Sequence, residues 1–308
     1  MPQAQLNGIS LEYESFGAAN DPAIVLIMGL GAQLTRWTVP FCEKLVRRGY
    51  RVIRFDNRDV GRSTHLTDLP APNLTQVLGA RMTGLPLKLP YTLDDMAADT
   101  VGLLDALHID KAHIVGASMG GMIAQLVAAD YPQRTLSLTS IMSTTGNPAL
   151  PPPTPAAAAV LMSPSPHPAN QEAYLDHSVS SLRTLASPGF PFDHETTRTR
   201  LLTDLDRGYN PAGYARQIAA VSMSGDRRAK LRTIKVPAMV IHGADDPLVP
   251  VAAGRDTADS IPNAELRVIA GMGHDIPVVL YDAIADAIDA VAKRAETLAA
   301  SSPPAAVK

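Results

Sequence analysis

The chain has 308 residues, of which 27 are basic and 30 are acidic, so its formal net charge at pH 7 is -3. This length suits one α/β core with an insertion better than a single minimal domain or two large domains. The near balance of charges, without a dense Lys/Arg cluster, argues against nucleic acid as a partner.

Targeting signals and metal-binding patterns are not seen in the sequence. The first residues lack the basic and apolar stretches of a secretory signal, and no apolar run reaches the ~18 to 20 residues of a membrane span. A lone cysteine, Cys42, excludes an internal disulfide and a cysteine-based zinc site, and no HExxH sequence occurs. We expect a cytoplasmic monomer or homodimer with no membrane partner, no metal and no cofactor.

Short apolar runs alternate with helix-patterned segments from the N-terminus onward. Strands are predicted at residues 9–16, 23–28, 50–55, the run that leads into Gly116, 136–142, 238–242 and 265–269. Helices are predicted at residues 40–48, from a capping box at 92–95 onward, from Ser118 to about 131, at 251–261 and from about 280 to about 299. Residues 66–91 are rich in Pro and Leu and predict an extended loop or short helices. This alternation predicts an α/β fold whose central sheet is mostly parallel and flanked by helices.

A long interval interrupts this alternation. Residues 143–237, 95 in all, separate two predicted strands, although a plain crossover needs little more than about a dozen residues. Residues 147–168 contain many prolines and predict an irregular entry, whereas residues 171–186, 195–209 and 211–223 have helical patterns. We expect residues 146–232 to form a helical cap after the predicted strand at 136–142, with the core at 1–145 and 233–298 and a disordered tail at 299–308. A disordered insertion is the weaker alternative, because apolar residues recur at helical spacing in the first of these segments.

A Gly-x-Ser-x-Gly sequence at residues 116–120 lies between an apolar run and a helix pattern. That order is typical of a nucleophile elbow, in which a tight turn from strand to helix exposes the serine hydroxyl. The two glycines allow strand and helix backbones to approach where a Cβ atom would clash. The context therefore favours Ser118 as a nucleophile over a glycine-rich turn without chemistry.

A serine hydroxyl needs a base within hydrogen-bond reach and a third group that orients the base. His274 is the histidine that follows a late strand in a glycine-rich loop, and Asp245 and Asp246 both follow the strand before it. We favour Asp246, because Pro247 stiffens the position next to it, and assign Asp245 mainly to the turn. Ser118, Asp246 and His274 then follow the chain order nucleophile, acid, base.

Ester hydrolysis also requires two N–H groups that bind the carbonyl oxygen as it becomes negative. Met119 follows the nucleophile at the start of a helix and offers one N–H group. The loop after the early strand, Met28-Gly-Leu-Gly31, offers the other, and Leu30 is favoured over Gly31. The sequence therefore predicts an oxyanion hole formed by the main chain of Leu30 and Met119.

Four motifs together resemble those of α/β-hydrolases over nearly the full chain. They are the loop at 28–31 with Trp37 beyond it, the loop Arg54-Phe-Asp-Asn-Arg-Asp-Val-Gly-Arg-Ser-Thr64, the elbow, and Gly271-Met-Gly-His274. Within that superfamily the chain is similar to bacterial esterases related to aclacinomycin methylesterase. The resemblance implies the same triad and the same two oxyanion donors. In the second loop we expect Arg58, Asp59 and Arg62 to brace the structure rather than bind substrate.

These residues predict a serine carboxylesterase that hydrolyses small-to-medium carboxylic esters through an acyl-enzyme. A methylesterase acting on a polyketide-type or aromatic product, a perhydrolase and a carbon–carbon bond hydrolase remain alternatives, because they share the triad. A ligand-binding protein that kept the fold without turnover is disfavoured, since all three catalytic residue types are present. The expected partner is a small ester.

Overall fold

A computed structural model describes residues 2–85, 87–163 and 167–301. These residues contain one sheet with strand order β1-β2-β4-β3-β5-β6-β7-β8. Strands β1 and β2 pair antiparallel, as do β2 and β4, and every other neighbouring pair is parallel. The prediction of a mostly parallel sheet is confirmed. The strand bounds are β1 (Gln3–Leu6), β2 (Ile9–Phe16), β3 (Ala23–Ile27), β4 (Arg51–Phe55), β5 (Ala112–Ala117), β6 (Thr135–Ile141), β7 (Ala238–Gly243) and β8 (Glu265–Ile269).

Helices lie in the connections between the strands. Five of those described, α5 to α9, fall between β6 and β7, within the segment that the sequence marks as an insertion. Capping follows local sequence: at α3 the Thr92 hydroxyl accepts the Asp95 N–H, and the Asp95 carboxylate accepts the Thr92 N–H. The helix bounds are α1 (Val39–Val46), α2 (Leu74–Thr83), α3 (Leu93–Ala106), α4 (Met119–Asp130), α5 (Pro155–Met162), α6 (Gln171–Leu185), α7 (His194–Arg207), α8 (Pro211–Met223), α9 (Arg228–Leu231), α10 (Val251–Ser260) and α11 (Tyr281–Ser301).

The hydrophobic core covers both faces of the sheet. All five residues of β3 are buried, and alternate side chains enter two separate apolar clusters. Val25 packs in the cluster that contains the buried faces of α3 and α4, whereas Ile24 packs in the cluster that contains those of α1 and α11. Burial on both faces explains why the sequence of β3 is continuously apolar rather than alternating.

Some elements differ from the sequence-based expectations. Strand β1 was not predicted, because it has four residues, two of them glutamine, and is held by pairing with β2. Helix α5 forms within the Pro-rich segment where an irregular entry was expected, whereas α2 agrees with the short helices that were one expectation for residues 66–91. Helix α11 reaches Ser301, so residues 299–301 continue the helix into the expected tail. Residues 302–308, and 164–166 of the Pro-rich entry, lie outside the described parts.

No helix in the described ranges is both long enough and apolar enough to cross a membrane.

Candidate active site

Ser118 lies in a tight turn between β5 and α4, with φ 56° and ψ -122°. A positive φ is unfavourable for a residue with a Cβ atom and is typical of strained functional turns. A Cβ atom on Gly116 would lie 2.0 Å from the Gly120 carbonyl oxygen, and one on Gly120 would lie 2.1 Å from the Ile27 carbonyl oxygen. Both glycines are therefore required for the close approach of β5, α4 and the end of β3.

The side chains of Ser118, His274 and Asp246 form a continuous hydrogen-bonded chain. His274 Nε2 is 3.0 Å from Ser118 Oγ, and His274 Nδ1 is 2.8 Å from Asp246 Oδ2. An ionised carboxylate only accepts hydrogen bonds, so this pairing places the imidazole proton on Nδ1 and leaves Nε2 free to accept the serine proton. The three loops that follow β5, β7 and β8 thus bring together residues up to 156 positions apart.

The two neighbouring aspartates have different roles in the loop. The other oxygen of the Asp246 carboxylate accepts the N–H groups of Leu248 and Val249 at 2.9 and 2.8 Å, which fixes its orientation toward His274. Asp245 instead accepts the Gly271 N–H at 2.8 Å. Asp245 therefore braces the loop that carries His274, and Asp246 contacts the imidazole itself.

Two other buried histidines belong to strands of the sheet and make local contacts. His113 in β5 is 2.8 Å from the Ser137 hydroxyl through Nδ1, and burial lowers the pKa of its imidazole to about 4. His242 in β7 is 2.7 Å from the Val249 carbonyl oxygen through Nε2, and burial also lowers its pKa. Both are held by strand and loop partners and neither contacts Ser118.

The predicted oxyanion loop lies against the serine. A Cβ atom on Gly29 would be 3.5 Å from Ser118 Oγ. The Gly29 carbonyl accepts the Ala32 N–H at 3.2 Å, and this turn orients the Gly29–Leu30 peptide group. Asn57 adds a hydrogen bond of 2.9 Å from its side-chain amide to the Met28 carbonyl.

The second predicted donor is fixed by hydrogen bonds to the preceding carbonyl. Ser118 C=O accepts from the Gly121 N–H and from the Ser143 hydroxyl, each at 2.9 Å, so the Ser118–Met119 peptide group cannot rotate freely. Within the described residues, neither the Leu30 N–H nor the Met119 N–H donates to another protein group. Two main-chain donors near Ser118 are therefore available to an oxygen atom that enters the site.

The end of α6 and the segment after it hold the loop that carries His274. The Leu185 carbonyl accepts the His274 N–H at 2.8 Å, and the Ser187 hydroxyl accepts the Gly273 N–H at 2.8 Å. Ser187 also donates to Asp275, and the Gly189 N–H donates to the Gly271 carbonyl at 2.9 Å. These contacts join residues more than 80 positions apart and have no local signal in the sequence.

Buried ion pairs brace the loop after β4, as the sequence suggested for Arg58 and Asp59. Arg58 makes two hydrogen bonds to Asp99, at 2.6 and 2.7 Å, and Arg216 of α8 makes two to Asp59, both at 2.8 Å. Arg62 contributes its main-chain N–H to the Asp56 carboxylate at 3.1 Å. The partners Asp99 and Arg216 were not predicted, because a charged residue in a helix pattern ordinarily indicates a solvent-exposed face.

The fold and this arrangement define a hydrolase scaffold, and a family model described as "alpha/beta hydrolase fold" matches residues 22–279. The chain therefore belongs to the α/β-hydrolase family.

Curated relatives align over most of their length. Rhodomycin D methylesterase DauP of Streptomyces sp. (strain C5) is 30% identical over 299 residues, covering 91% of this chain and 94% of the relative. The 3-oxoadipate enol-lactonase 2 of Acinetobacter baylyi is 28% identical, covering 93% and 94%. Among solved structures, a hydrolase from Pseudomonas aeruginosa PA01 superimposes with a TM-score of 0.69 at 27% identity, covering 94% of this chain and 96% of that one. The resemblance to methylesterases of this type and the assignment as a hydrolase are confirmed.

Proposed function

We propose that the protein is a serine carboxylesterase that hydrolyses small-to-medium carboxylic esters through an acyl-enzyme. The observation that carries this proposal is the hydrogen-bonded chain from Ser118 through His274 to Asp246. The N–H groups of Leu30 and Met119, which have no protein acceptor within the described residues, support it, since acyl transfer needs both an activated nucleophile and donors for the oxyanion.

In the acylation step, Ser118 Oγ attacks the ester carbonyl carbon as His274 Nε2 takes the hydroxyl proton. The carbonyl electron pair moves onto oxygen, and the N–H groups of Leu30 and Met119 stabilise the resulting oxyanion. Loss of one such donor typically raises the barrier by about 3 to 4 kcal/mol. The intermediate collapses, the carbon–oxygen bond to the alcohol breaks, and His274 gives the leaving alkoxide its proton.

Deacylation repeats these roles with water. His274 takes a proton from a water molecule, whose oxygen attacks the acyl carbon, and the same two N–H groups stabilise the second oxyanion. The bond to Ser118 Oγ then breaks, and the imidazolium returns its proton to that oxygen. Asp246 keeps the imidazole in the required tautomer and stabilises its positive form in both steps.

The segment at residues 146–232 is proposed to cap this site, with residues 1–145 and 233–298 as the hydrolase core. Its support is the contact of the segment with the loop of His274 through Leu185 and Ser187. Caps of this kind exclude water from the reacting atoms and shape the pocket. The Met, Leu and Pro content of the segment suits short-to-medium acyl esters or uncharged aromatic esters.

A methylesterase acting on a polyketide-type or aromatic product is the second candidate. The similarity to rhodomycin D methylesterase DauP, which extends along nearly all of both chains, favours it. Purified protein assayed on p-nitrophenyl esters of increasing acyl length and on aromatic methyl esters separates the two candidates. Turnover that falls with acyl length on p-nitrophenyl esters supports the first, and turnover confined to methyl esters supports the second.

The test of the nucleophile is Ser118→Ala. Its kcat on a p-nitrophenyl ester should fall by about 10⁶-fold, by analogy with serine proteases in which the triad acts as a unit. Near-normal turnover would refute the proposal. Asp246→Ala and Asp245→Ala form a matched pair, and the first should lose far more activity than the second. The opposite order would move the orienting acid to Asp245.

A further inference from the structure

Gln217 of α8 reaches from the segment between β6 and β7 into the proposed oxyanion loop. Its side chain is fully buried. The side-chain oxygen accepts the Gly31 N–H at 2.8 Å, and the side-chain nitrogen donates to the Arg58 carbonyl at 2.8 Å. One amide thus connects the loop after β3 with the loop after β4.

Three successive peptide groups of the oxyanion loop are each held by a different partner. Asn57 binds the Met28 carbonyl, and the Ala32 N–H binds the Gly29 carbonyl. The third peptide group, between Leu30 and Gly31, is held by the hydrogen bond from the Gly31 N–H to Gln217. Two of the restraints therefore come from the loops that follow β3 and β4, whereas the third comes from the inserted helix α8.

The conformation at Gly31 makes the third restraint important. Gly31 has φ +63°, and a Cβ atom there would lie 2.7 Å from the ring of Tyr214, one helical turn before Gln217. A glycine with no Cβ atom can change φ and ψ at little cost, so its peptide group rotates unless a partner holds it. Without Gln217, the Gly31 N–H would lose its acceptor in this partly buried hydrogen bond, and rotation of that peptide group would displace the neighbouring Leu30 N–H.

We propose that Gln217 is a positioning residue for the oxyanion hole, and that α8 must lie on the loop at residues 28–32 for Leu30 to face the substrate oxygen. This inference rests on the proposed esterase function. Gln217 does not touch the reacting atoms. It acts through the Gly31 N–H, so the helical segment completes the site as well as covering it.

This role predicts a specific kinetic signature. The Leu30 N–H interacts most strongly with the oxygen when it is negatively charged, so misplacing the donor weakens transition-state binding more than substrate binding. A residue that only shaped the pocket would change KM instead. A residue that only stabilised the fold would change the unfolding temperature and leave kcat per folded molecule unaltered.

The test compares Gln217→Met, which keeps the length but offers only a weak thioether acceptor, with Gln217→Asn, whose amide is one methylene too short to reach Gly31. The control is Asp193→Ala, which removes the N-cap of α7, the preceding helix of the same segment, without touching α8 or Gly31. For each folded protein we measure kcat and KM on a p-nitrophenyl ester. We also measure the Ki of a trifluoromethyl ketone, an inhibitor that forms a tetrahedral oxyanion adduct with the serine.

Both Gln217 variants should lose about 10²-fold in kcat, with KM within about 3-fold of the parent and a parallel rise in Ki. Asp193→Ala should lower the unfolding temperature and keep kcat and Ki near the parent values. Unchanged kcat and Ki in either folded Gln217 variant would overturn the inference, as would equal losses in Asp193→Ala. If the Gln217 inference fails while Ser118→Ala still abolishes turnover in the same assay, the proposed esterase function stands. If Ser118→Ala stays active, the proposed function itself fails.

Discussion

Replacing Gly120 by alanine tests whether the approach of α4 to β3 sets the geometry of the site. The new methyl group would lie 2.1 Å from the Ile27 carbonyl oxygen, 2.6 Å from the Ile27 carbonyl carbon and 2.8 Å from the Met28 carbonyl oxygen. All three atoms belong to the main chain of the central sheet or its end, so no flexible side chain can move aside. The start of α4 must therefore move away from β3.

The size of this movement gives the expected effect. Ordinary contact for a methyl group begins at about 3.4 Å, so the helix start must shift by roughly 1 Å. Overpacking of this kind typically costs about 1 to 3 kcal/mol, and alanine returns up to about 1 kcal/mol through its higher helix propensity. A 1 Å misplacement of reacting groups can lower the rate by about 10²-fold. We expect a modest loss of stability with a large loss of kcat/KM.

Gly79→Ala is the matched control, because a Cβ atom at that position of α2 meets nothing within 4 Å. The assay pairs a thermal unfolding scan with kcat/KM on a p-nitrophenyl ester for both variants. Gly79→Ala should keep activity and hold or raise Tm, whereas Gly120→Ala should lower Tm by a few degrees, about 2 to 4 °C per kcal/mol, and lose activity. Parent-like activity in Gly120→Ala would refute the packing argument for the elbow.

The remaining predictions concern buried ionisable side chains. Burial lowers the pKa of His113 to about 4 from its ordinary 6.5, so the unfolded chain binds a proton that the folded chain does not. The His113 contribution should therefore raise the free energy of unfolding by about 3 kcal/mol as pH increases from 4 to 6.5, and His113→Gln should flatten that rise in urea titrations. Arg216→Met should cost about 3 to 5 kcal/mol, because it leaves Asp59 buried without its ion-pair partner. Adding Asp59→Asn to that variant should recover part of the loss in the same titrations; a further loss would contradict the charge argument.

The parts of the site that could be predicted from the sequence are those encoded locally. Ser118 is flanked by the two glycines that its turn requires, and His274 and Asp246 each follow a strand directly. Because parallel strands end at one edge of the sheet, loops after β5, β7 and β8 can meet there. The order of the elements was therefore enough to select the residues that now form the hydrogen-bonded chain.

The parts that could not be predicted depend on long-range packing. Gln217 lies in an amphipathic helix, where a polar residue ordinarily indicates the solvent face, and its partner Gly31 is 186 positions away. Ser187 likewise lies in a short connection with no motif around it, 86 positions from the glycine that it binds. Strand β1 exists through pairing with β2 rather than through its own pattern. Each of these features becomes recognisable only when the folded chain brings the two partners together.

The central claim, that Ser118 is a nucleophile activated by His274, is tested most directly by covalent trapping. The protein is incubated with a serine-directed fluorophosphonate and digested, and the modified residue is identified by mass spectrometry. We predict a single adduct on Ser118 that is absent in Ser118→Ala and forms far more slowly in His274→Gln. An adduct on another residue, or ester turnover that persists while Ser118 stays unmodified, would contradict the account.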